Sequence, residues 1–430
     1  MKILMACTPA IGHLDPLLAI ARMALSRGDD VVLTTATWLR QKVVDAGVRF
    51  SPLDPEADID IRNVDDFAPE RLKLPPGPTR EEYVFKRFFL DPMPAQARTL
   101  RSLIAKEAPD VVLVDMIFCG STPLFLDKAQ GRPSLVTVGI SFLPLDRPDG
   151  APLFVGLPPA RDEATRQSYA QLALQVDAVF GSPVRAYTDD LLASLGLPKL
   201  QGSLMNERVM HCDAYVMPSV PAFEYDFHPL PDHVRFVGAL PAPPSSSPDP
   251  EWWEELDDGR RVVLVTQGTV ANKDFGELIE PTMVALADRE DLLVVVTTGG
   301  RAFGDIRGTI PRNVRLAAYL PFATLLPKVD LLVTNGGYGT VSMALSAGVP
   351  IVVSGTSEDK AEVAARIAWS GTGLNLMTHS PTPEALRKGV SEVLDDPKYL
   401  NRARAMAGDF AKLDPKRELF ALLDALTGAR

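Results

Sequence analysis

The feature that most restricts this chain is a series of short apolar runs that do not alternate with polar residues. They include "KILMA" from Lys2, "VVLTTA" from Val31, "VRFSPL" from Val48, "DVVLVD" from Asp110, "SLVTVG" from Ser134, "AYVMPS" from Ala214 and "VRFVG" from Val234. A strand with one face in water alternates apolar and polar side chains, so a continuous run demands cover on both faces. Longer stretches with helical patterning lie between the runs. "LLAIARMALSRGDD", from Leu17, reads as the first crossover helix and closes at Gly28. Strands covered twice and alternating with helices predict an α/β fold, a doubly wound parallel sheet with helices on each side.

The pattern stops and starts again. "LPAPPSSSPDPEW", Leu240 to Trp252, is rich in Pro and Ser and has the composition of a linker. After it come "RVVLVTQG" from Arg261, "LLVVVTTGG" from Leu292, "VRLAAYL" from Val314, "LLVTNGG" from Leu331, "PIVVSG" from Pro350 and "GLNL" from Gly373. The 430 residues therefore divide into a first domain at 1–239, a linker at 240–252 and a second domain at 253–410. The closing segment 411–430 is expected as a helix, about Pro415 to Leu426, that packs across the domain junction. Both domains read as Rossmann-like. Ligands of open α/β sheets sit beyond the carboxyl ends of the strands, so the two sheets should face each other across a shared cleft.

Composition narrows the function. The net charge is −11 and no block of Lys and Arg occurs, which disfavours a nucleic-acid partner, since phosphate-backbone affinity comes mostly from those residues. Cys7, Cys119 and Cys212 are far apart and show neither metal-ligand spacing nor a disulfide framework. The start "MKILMACTPAIGHLDP" has too short an apolar part for a signal peptide, and no later stretch approaches the ~18–20 apolar residues of a membrane span. A cytoplasmic protein with no transmembrane segment is expected.

Two turns between strand and helix carry the chemistry. In "TNGGYGTVSMALSAGVP", Thr334 to Pro350, Gly336, Gly337 and Gly339 precede a predicted helix, with Thr340 placed to cap it or donate its hydroxyl. Helix N-termini expose unpaired N–H groups and about half a positive charge, so they attract anions. "VTQGTVANKDF", Val265 to Phe275, offers a second such turn at Gly268 and Thr269. Together they could hold a diphosphate. The position of "GGYGT" late in its domain does not fit a dinucleotide fingerprint, and no Gly-Lys-Ser/Thr follows to make a P-loop. In the first domain, His13 in "TPAIGHLDP" lies between the first strand and the first helix and is expected to point from the strand end into the cleft. Histidine suits proton abstraction near neutral pH. Asp115, charged at the end of the apolar run "DVVLVD", is expected near the same cleft and could orient the ring. His211, His228, His233 and His379 read as surface or packing residues.

These residues resemble the nucleotide-sugar-dependent glycosyltransferases of the UDP-glycosyltransferase superfamily, with their two-domain GT-B fold, over nearly the whole chain. "GHLDP" is similar to the family's Gly-His-x-x-Pro, whose histidine is the catalytic base, here His13. "VDMIF" resembles the segment carrying its aspartate partner, Asp115, and "TQGT" the turn whose hydroxyl touches the diphosphate, Thr269. "AYLPFATLLPKVDLLVTNGG" resembles the block that holds the base, which implies that Tyr319 and Leu320 lie against it. "GVPIVVSGTSEDKAEVAARIAW" resembles the run ending in Asp-Gln, which implies that Asp359 holds donor-sugar hydroxyls, beside Lys360 in the place of Gln. Asn335 stands where the family's loop usually opens with His, Met343 where a Glu commonly binds ribose hydroxyls, and Phe322 replaces another frequent Gln. A deoxythymidine-linked sugar lacks the 2′-hydroxyl and would lose less by Met343.

The resemblance implies an inverting, metal-independent transferase moving a sugar from a UDP- or dTDP-linked donor to a hydroxyl of a small, partly apolar acceptor such as a natural product. No cofactor is implied beyond the nucleotide sugar, which is a co-substrate. The loops Asp54–Ala97, with "YVFKRFF", and Phe142–Leu200 follow strand ends of the first domain and are expected to shape the acceptor pocket. A monomer or homodimer is expected. Two alternatives stay open: a sugar-nucleotide epimerase of the same fold, and a degenerate, non-catalytic nucleotide-sugar-binding protein. An oxidoreductase lacks the dinucleotide fingerprint.

Overall fold

The computed structural model describes residues 1–62, 64–75, 77–127, 131–242, 248–269 and 272–428. Of the expected linker 240–252, residues 243–247 lie outside the described residues, and the remainder holds no strand or helix.

The first sheet has seven strands: β1 (Lys2–Ala6), β2 (Asp30–Thr35), β3 (Arg49–Pro52), β4 (Val111–Asp115), β5 (Ser134–Val138), β6 (Ala214–Met217) and β7 (Val234–Phe236). Their order is β3-β2-β1-β4-β5-β6-β7, with every pair parallel. The second sheet has six: β8 (Arg261–Thr266), β9 (Leu292–Thr297), β10 (Val314–Ala317), β11 (Leu331–Thr334), β12 (Ile351–Val353) and β13 (Gly373–Asn375). It is also parallel throughout, in the order β10-β9-β8-β11-β12-β13. In each sheet the chain reverses its direction of travel at one place, between β1 and β4 in the first and between β8 and β11 in the second.

The continuous apolar runs follow from this layering. In β1, Ile3 and Met5 enter one core, while Leu4 and Ala6 enter another on the opposite face. In β8, Val263 and Val265 serve one face and Val262 and Leu264 the other. Each strand thus needs apolar side chains at both phases of its two-residue period. One core runs on from the first sheet, through Tyr215, Phe223 and Tyr225, to Leu264, Leu332 and Tyr338 of the second. The lobes therefore meet on packed apolar side chains.

Helix α1 (Ile11–Arg27) follows β1 and closes at Gly28. It begins six residues before the start read from the sequence. The Ala10 carbonyl already accepts from the N–H groups of His13 and Leu14, at 3.1 and 2.9 Å. Pro16 lies inside α1 and has no N–H to donate to the preceding turn, yet the helix runs through it. His13 consequently sits in the first turn of α1 and not in a turn before it.

The other helices that matter here are α2 (Tyr338–Ser346), α3 (Lys360–Ser370) and α4 (Pro415–Thr427). Helix α4 leaves the second lobe and seats Leu419, Phe420 and Leu423 in the core beneath α1. Arg27 fixes it there, stacking 4.2 Å from the Phe420 ring centre and bonding Asp424 at 2.8 Å. Among the described residues no helix is long and apolar enough to cross a membrane.

Candidate active site

The first lobe builds its site where its sheet reverses. β1 leads into the Thr8–Ala10 turn and α1, and β4 ends at Asp115 beside it. Asp115 is fully buried. It accepts from the Thr8 N–H, from the Thr8 hydroxyl at 3.1 Å and from the Ile117 N–H at 2.9 Å. His13 Nδ1 lies 3.1 Å from its Oδ1. Burial alone would push the Asp115 carboxyl up, but the His13 imidazole and the Thr8 and Ile117 N–H groups outweigh it and hold the carboxyl below its usual range. An ionised carboxylate can only accept, so the His13 nitrogen facing it, Nδ1, is the one that donates. The His13 side chain is 21% exposed. The pair is thus an oriented imidazole at the lip of the site with its acid partner sealed beneath it.

The second lobe repeats the placement. β8 runs into Gln267, Gly268 and Thr269; β11 runs into Asn335, Gly336 and Gly337, and then into α2. Gly337 is the N-cap residue of α2; no side chain caps this end and no acidic residue lies in its first turn. Its helix field is therefore not neutralised by the helix's own residues. A Cβ at Gly337 or Gly339 would meet nothing within 4 Å, so the space over the helix start is open. Gly336, at φ 94°, is the one glycine of the three with positive φ. Thr340 is the third helical residue, which rules out its expected capping role. Thr269 is exposed at its turn, and residues 270–271 after it lie outside the described residues.

Asn335 turns inward. Its Nδ2 donates to the Gln267 carbonyl at 2.8 Å and so ties the two turns together. Gly355 closes against the same residue: a Cβ there would come 2.0 Å from the Asn335 carbonyl oxygen. Asn335, Gln267, Ser354, Lys360 and His379 line one small cavity of about 20 Å³. His379 is exposed, in keeping with its reading from the sequence as a surface or packing residue, and borders this cavity. Asn335→Ala would leave the buried Gln267 carbonyl without this donor. The expected cost is about 1–3 kcal/mol, read as a lower urea midpoint with an unchanged slope.

Tyr319 is exposed and lies over Gly300, whereas Leu320 is buried in the core shared by the lobes. Leu320 is therefore a packing residue in this conformation. Met343 is half-buried against the same core. Asp359 accepts a hydrogen bond from the Ser141 hydroxyl of the first lobe, and burial pushes its carboxyl up. Ser141 lies three residues beyond the end of β5, and Val138 at that end pairs in register with Asp115. Asp359 and the His13–Asp115 pair thus converge on neighbouring strand ends. Lys360 is buried and paired with Glu358.

Sequence reasoning did not single out Thr8, Ser141 or Gln267. Gln267 carried a usable signal, a polar side chain ending an apolar run, which is the signal that identified Asp115. Ser141 carried none. The loops expected at the acceptor side hold two π-helical segments, Lys86–Leu90 and Asp177–Gly181, and Phe85, just before the first, meets Phe180 of the second edge to face with ring centres 5.5 Å apart. Among the described residues no cluster of three or more His, Cys, Asp or Glu could hold a metal ion.

Residues 282–425 match the family described as Erythromycin biosynthesis protein CIII-like, C-terminal domain. The chain is 36% identical over 427 residues to 4'-demethylrebeccamycin synthase of Lentzea aerocolonigenes, covering 99% of both chains. It is 35% identical over 441 residues to UDP-glycosyltransferase 2 of Phaeomoniella chlamydospora, covering 99% of this chain and 96% of the other. The crystal structure of the glycotransferase of kitacinnamycin superposes with a TM-score of 0.74 at 20% identity, covering 99% of both chains. Sheet order, the placement of both turns and these likenesses agree: the chain belongs to the nucleotide-sugar-dependent glycosyltransferases of the UDP-glycosyltransferase superfamily and has their GT-B fold.

Proposed function

We propose that this protein is an inverting, metal-independent glycosyltransferase that moves a sugar from a nucleotide diphosphate to a hydroxyl of a small, partly apolar acceptor. The observation that supports it most is the His13–Asp115 pair at the reversal of one sheet, matched by the open start of α2 at the reversal of the other. His13 Nε2 takes the proton of the acceptor hydroxyl. Asp115 keeps the Nδ1–H in place and balances the imidazolium that forms. The acceptor oxygen attacks the anomeric carbon from the face opposite the diphosphate, and the C–O bond to the diphosphate breaks. The negative charge that develops on the leaving group meets the N–H groups at Gly337–Thr340, donors that need no reorganisation during the reaction. The scheme calls for no cofactor beyond the nucleotide sugar.

UDP-glycosyltransferase 2 and the solved structure bear transferase names, the other relative is named a synthase, and none of the three names lends anything to the epimerase alternative. Incubating the protein with a panel of nucleotide sugars and hydroxyl acceptors, read by mass spectrometry, tests the reading. Turnover of nucleotide sugar without acceptor would overturn it.

Met343, half-buried on α2, offers no acceptor to a ribose 2′-hydroxyl. We therefore assign a deoxythymidine-linked donor. In competition, dTDP is expected to bind about tenfold more tightly than UDP, the equivalent of one unpaired hydroxyl. A clear UDP preference would remove the donor assignment and leave the transfer chemistry standing.

A further inference from the structure

Helix α3 carries Asp359 at its N-terminal boundary and is fastened to the first lobe along one face. Asp359 takes the Ser141 hydroxyl, Glu362 Oε1 accepts the Gly156 N–H at 3.1 Å, Arg366 Nε donates to Glu224 Oε2 at 2.8 Å, and Trp369 meets Tyr225 edge to face at 5.3 Å. Positions 359, 362, 366 and 369 are spaced by three, four and three residues, which sets them on one stripe of a helix. The centre of this seam is a charge triad out of reach of water. Glu224, Arg366 and Glu362 are all buried, and Arg366 Nη1 also donates to Glu362 Oε2 at 2.8 Å. The guanidinium stacks 4.1 Å from the Tyr225 ring centre and 4.8 Å from that of Phe142. Its Nη2 has no hydrogen-bond partner among the described residues. Glu224 in turn accepts the Leu143 N–H at 3.2 Å, so the triad also orders the loop after β5 that bears Ser141.

A buried charge cluster is a poor device for stability, because apolar residues of similar shape often do as well or better. Its directional bonds are better suited to setting an angle. We propose that Arg366 is a positioning residue for sugar transfer: through Glu224 and Glu362 it sets α3 against the first lobe, so that Asp359 and Ser141 together form a sugar-facing edge that belongs to both lobes. The nucleotide diphosphate rests on the second lobe alone and should be indifferent to this seam. This inference rests on the transferase reading above. It adds that the lobes pivot about α3 and do not separate there.

The full-length Arg366→Met and Arg366→Lys variants test it. Arg366→Met is expected to lower kcat/KM for transfer about 10²-fold, the scale of an ångström-sized misplacement. Its affinity for free nucleotide diphosphate should stay within about twofold. Arg366→Lys, which keeps one charge, should regain part of the loss. Hydrogen exchange should quicken at the amides of Leu143 and Gly156 and stay unchanged in β8 and β11. Should Arg366→Met fail to fold, Glu224→Gln keeps the shape and is expected to show the same split with a smaller loss. A folded variant with unaltered kcat/KM and unaltered exchange at Leu143 and Gly156 would overturn the proposal. An unmodified protein that transfers no sugar would instead overturn the function, while the exchange measurement still reports on the seam.

Discussion

Replacing His13 with alanine is expected to lower kcat by about 10²–10⁴-fold, the contribution of a positioned general base. Donor nucleotide binding should stay within about twofold, because the imidazole and the diphosphate turns belong to different lobes. The split follows from geometry. His13 touches Asp115 through Nδ1 at 3.1 Å and has part of its ring at the surface of the first lobe. The N–H groups at Gly337–Thr340 belong to the second. Isothermal titration with nucleotide diphosphate, beside single-turnover transfer, separates the two quantities. Full transfer by the folded variant would remove His13 from the reaction.

Asp115→Asn is expected to do two things at once. The carboxylate receives hydrogen bonds on both oxygens: Thr8 N–H on Oδ2, and Ile117 N–H, Thr8 hydroxyl and His13 on Oδ1. An amide has one oxygen. Whichever way it turns, its NH₂ faces an N–H that is itself a donor, in a fully buried place. The folding cost is about 1–3 kcal/mol. The imidazolium also loses its counter-charge, so transfer should fall by about 10²-fold or more. The two effects separate with pH. Because the fold holds the Asp115 carboxyl below its usual range, its stabilisation is complete above the unfolded value of about 3.9 and is lost as pH falls through the folded value. The stability gap between the parent and Asp115→Asn should therefore narrow under acid conditions. Urea midpoints measured between about pH 3 and pH 7 check this. A gap that widens on acidification would mean that Asp115 is not held as the anion.

Much of the fold was readable because its signal is local. Central strands such as β1, β4, β8 and β9 are covered on two faces and show as apolar runs within a few residues, whereas β3 and β7 at the edge of the first sheet are partly exposed. The Pro- and Ser-rich break at 240–252 needed no partner to be seen. Asp115 was visible because a charge at the end of such a run has few places to go. What sequence could not show depends on distant neighbours. Ser141 and Asp359 meet across 218 positions, and Arg366 reaches Glu224 across 142. The same holds for Asn335, whose amide donates to the Gln267 carbonyl 68 positions away. Leu320 and Tyr319 are neighbours of similar apparent role. Their fates diverge because Leu320 drops into the core between the lobes while Tyr319 stays on the surface over Gly300. Helix α1 starts six residues before the run from Leu17 because the Ala10 carbonyl already closes its first turn.

The seating of α4 has a consequence for how the molecule comes into being. A first lobe usually completes itself while the rest of the chain is still emerging from the ribosome. Here its hydrophobic interior includes Leu419, Phe420 and Leu423, so translation must reach those residues before that interior is whole. Until then the apolar residues that these three cover stay open to solvent, a foothold for a chaperone and a point of weakness for any shortened chain that stops before them.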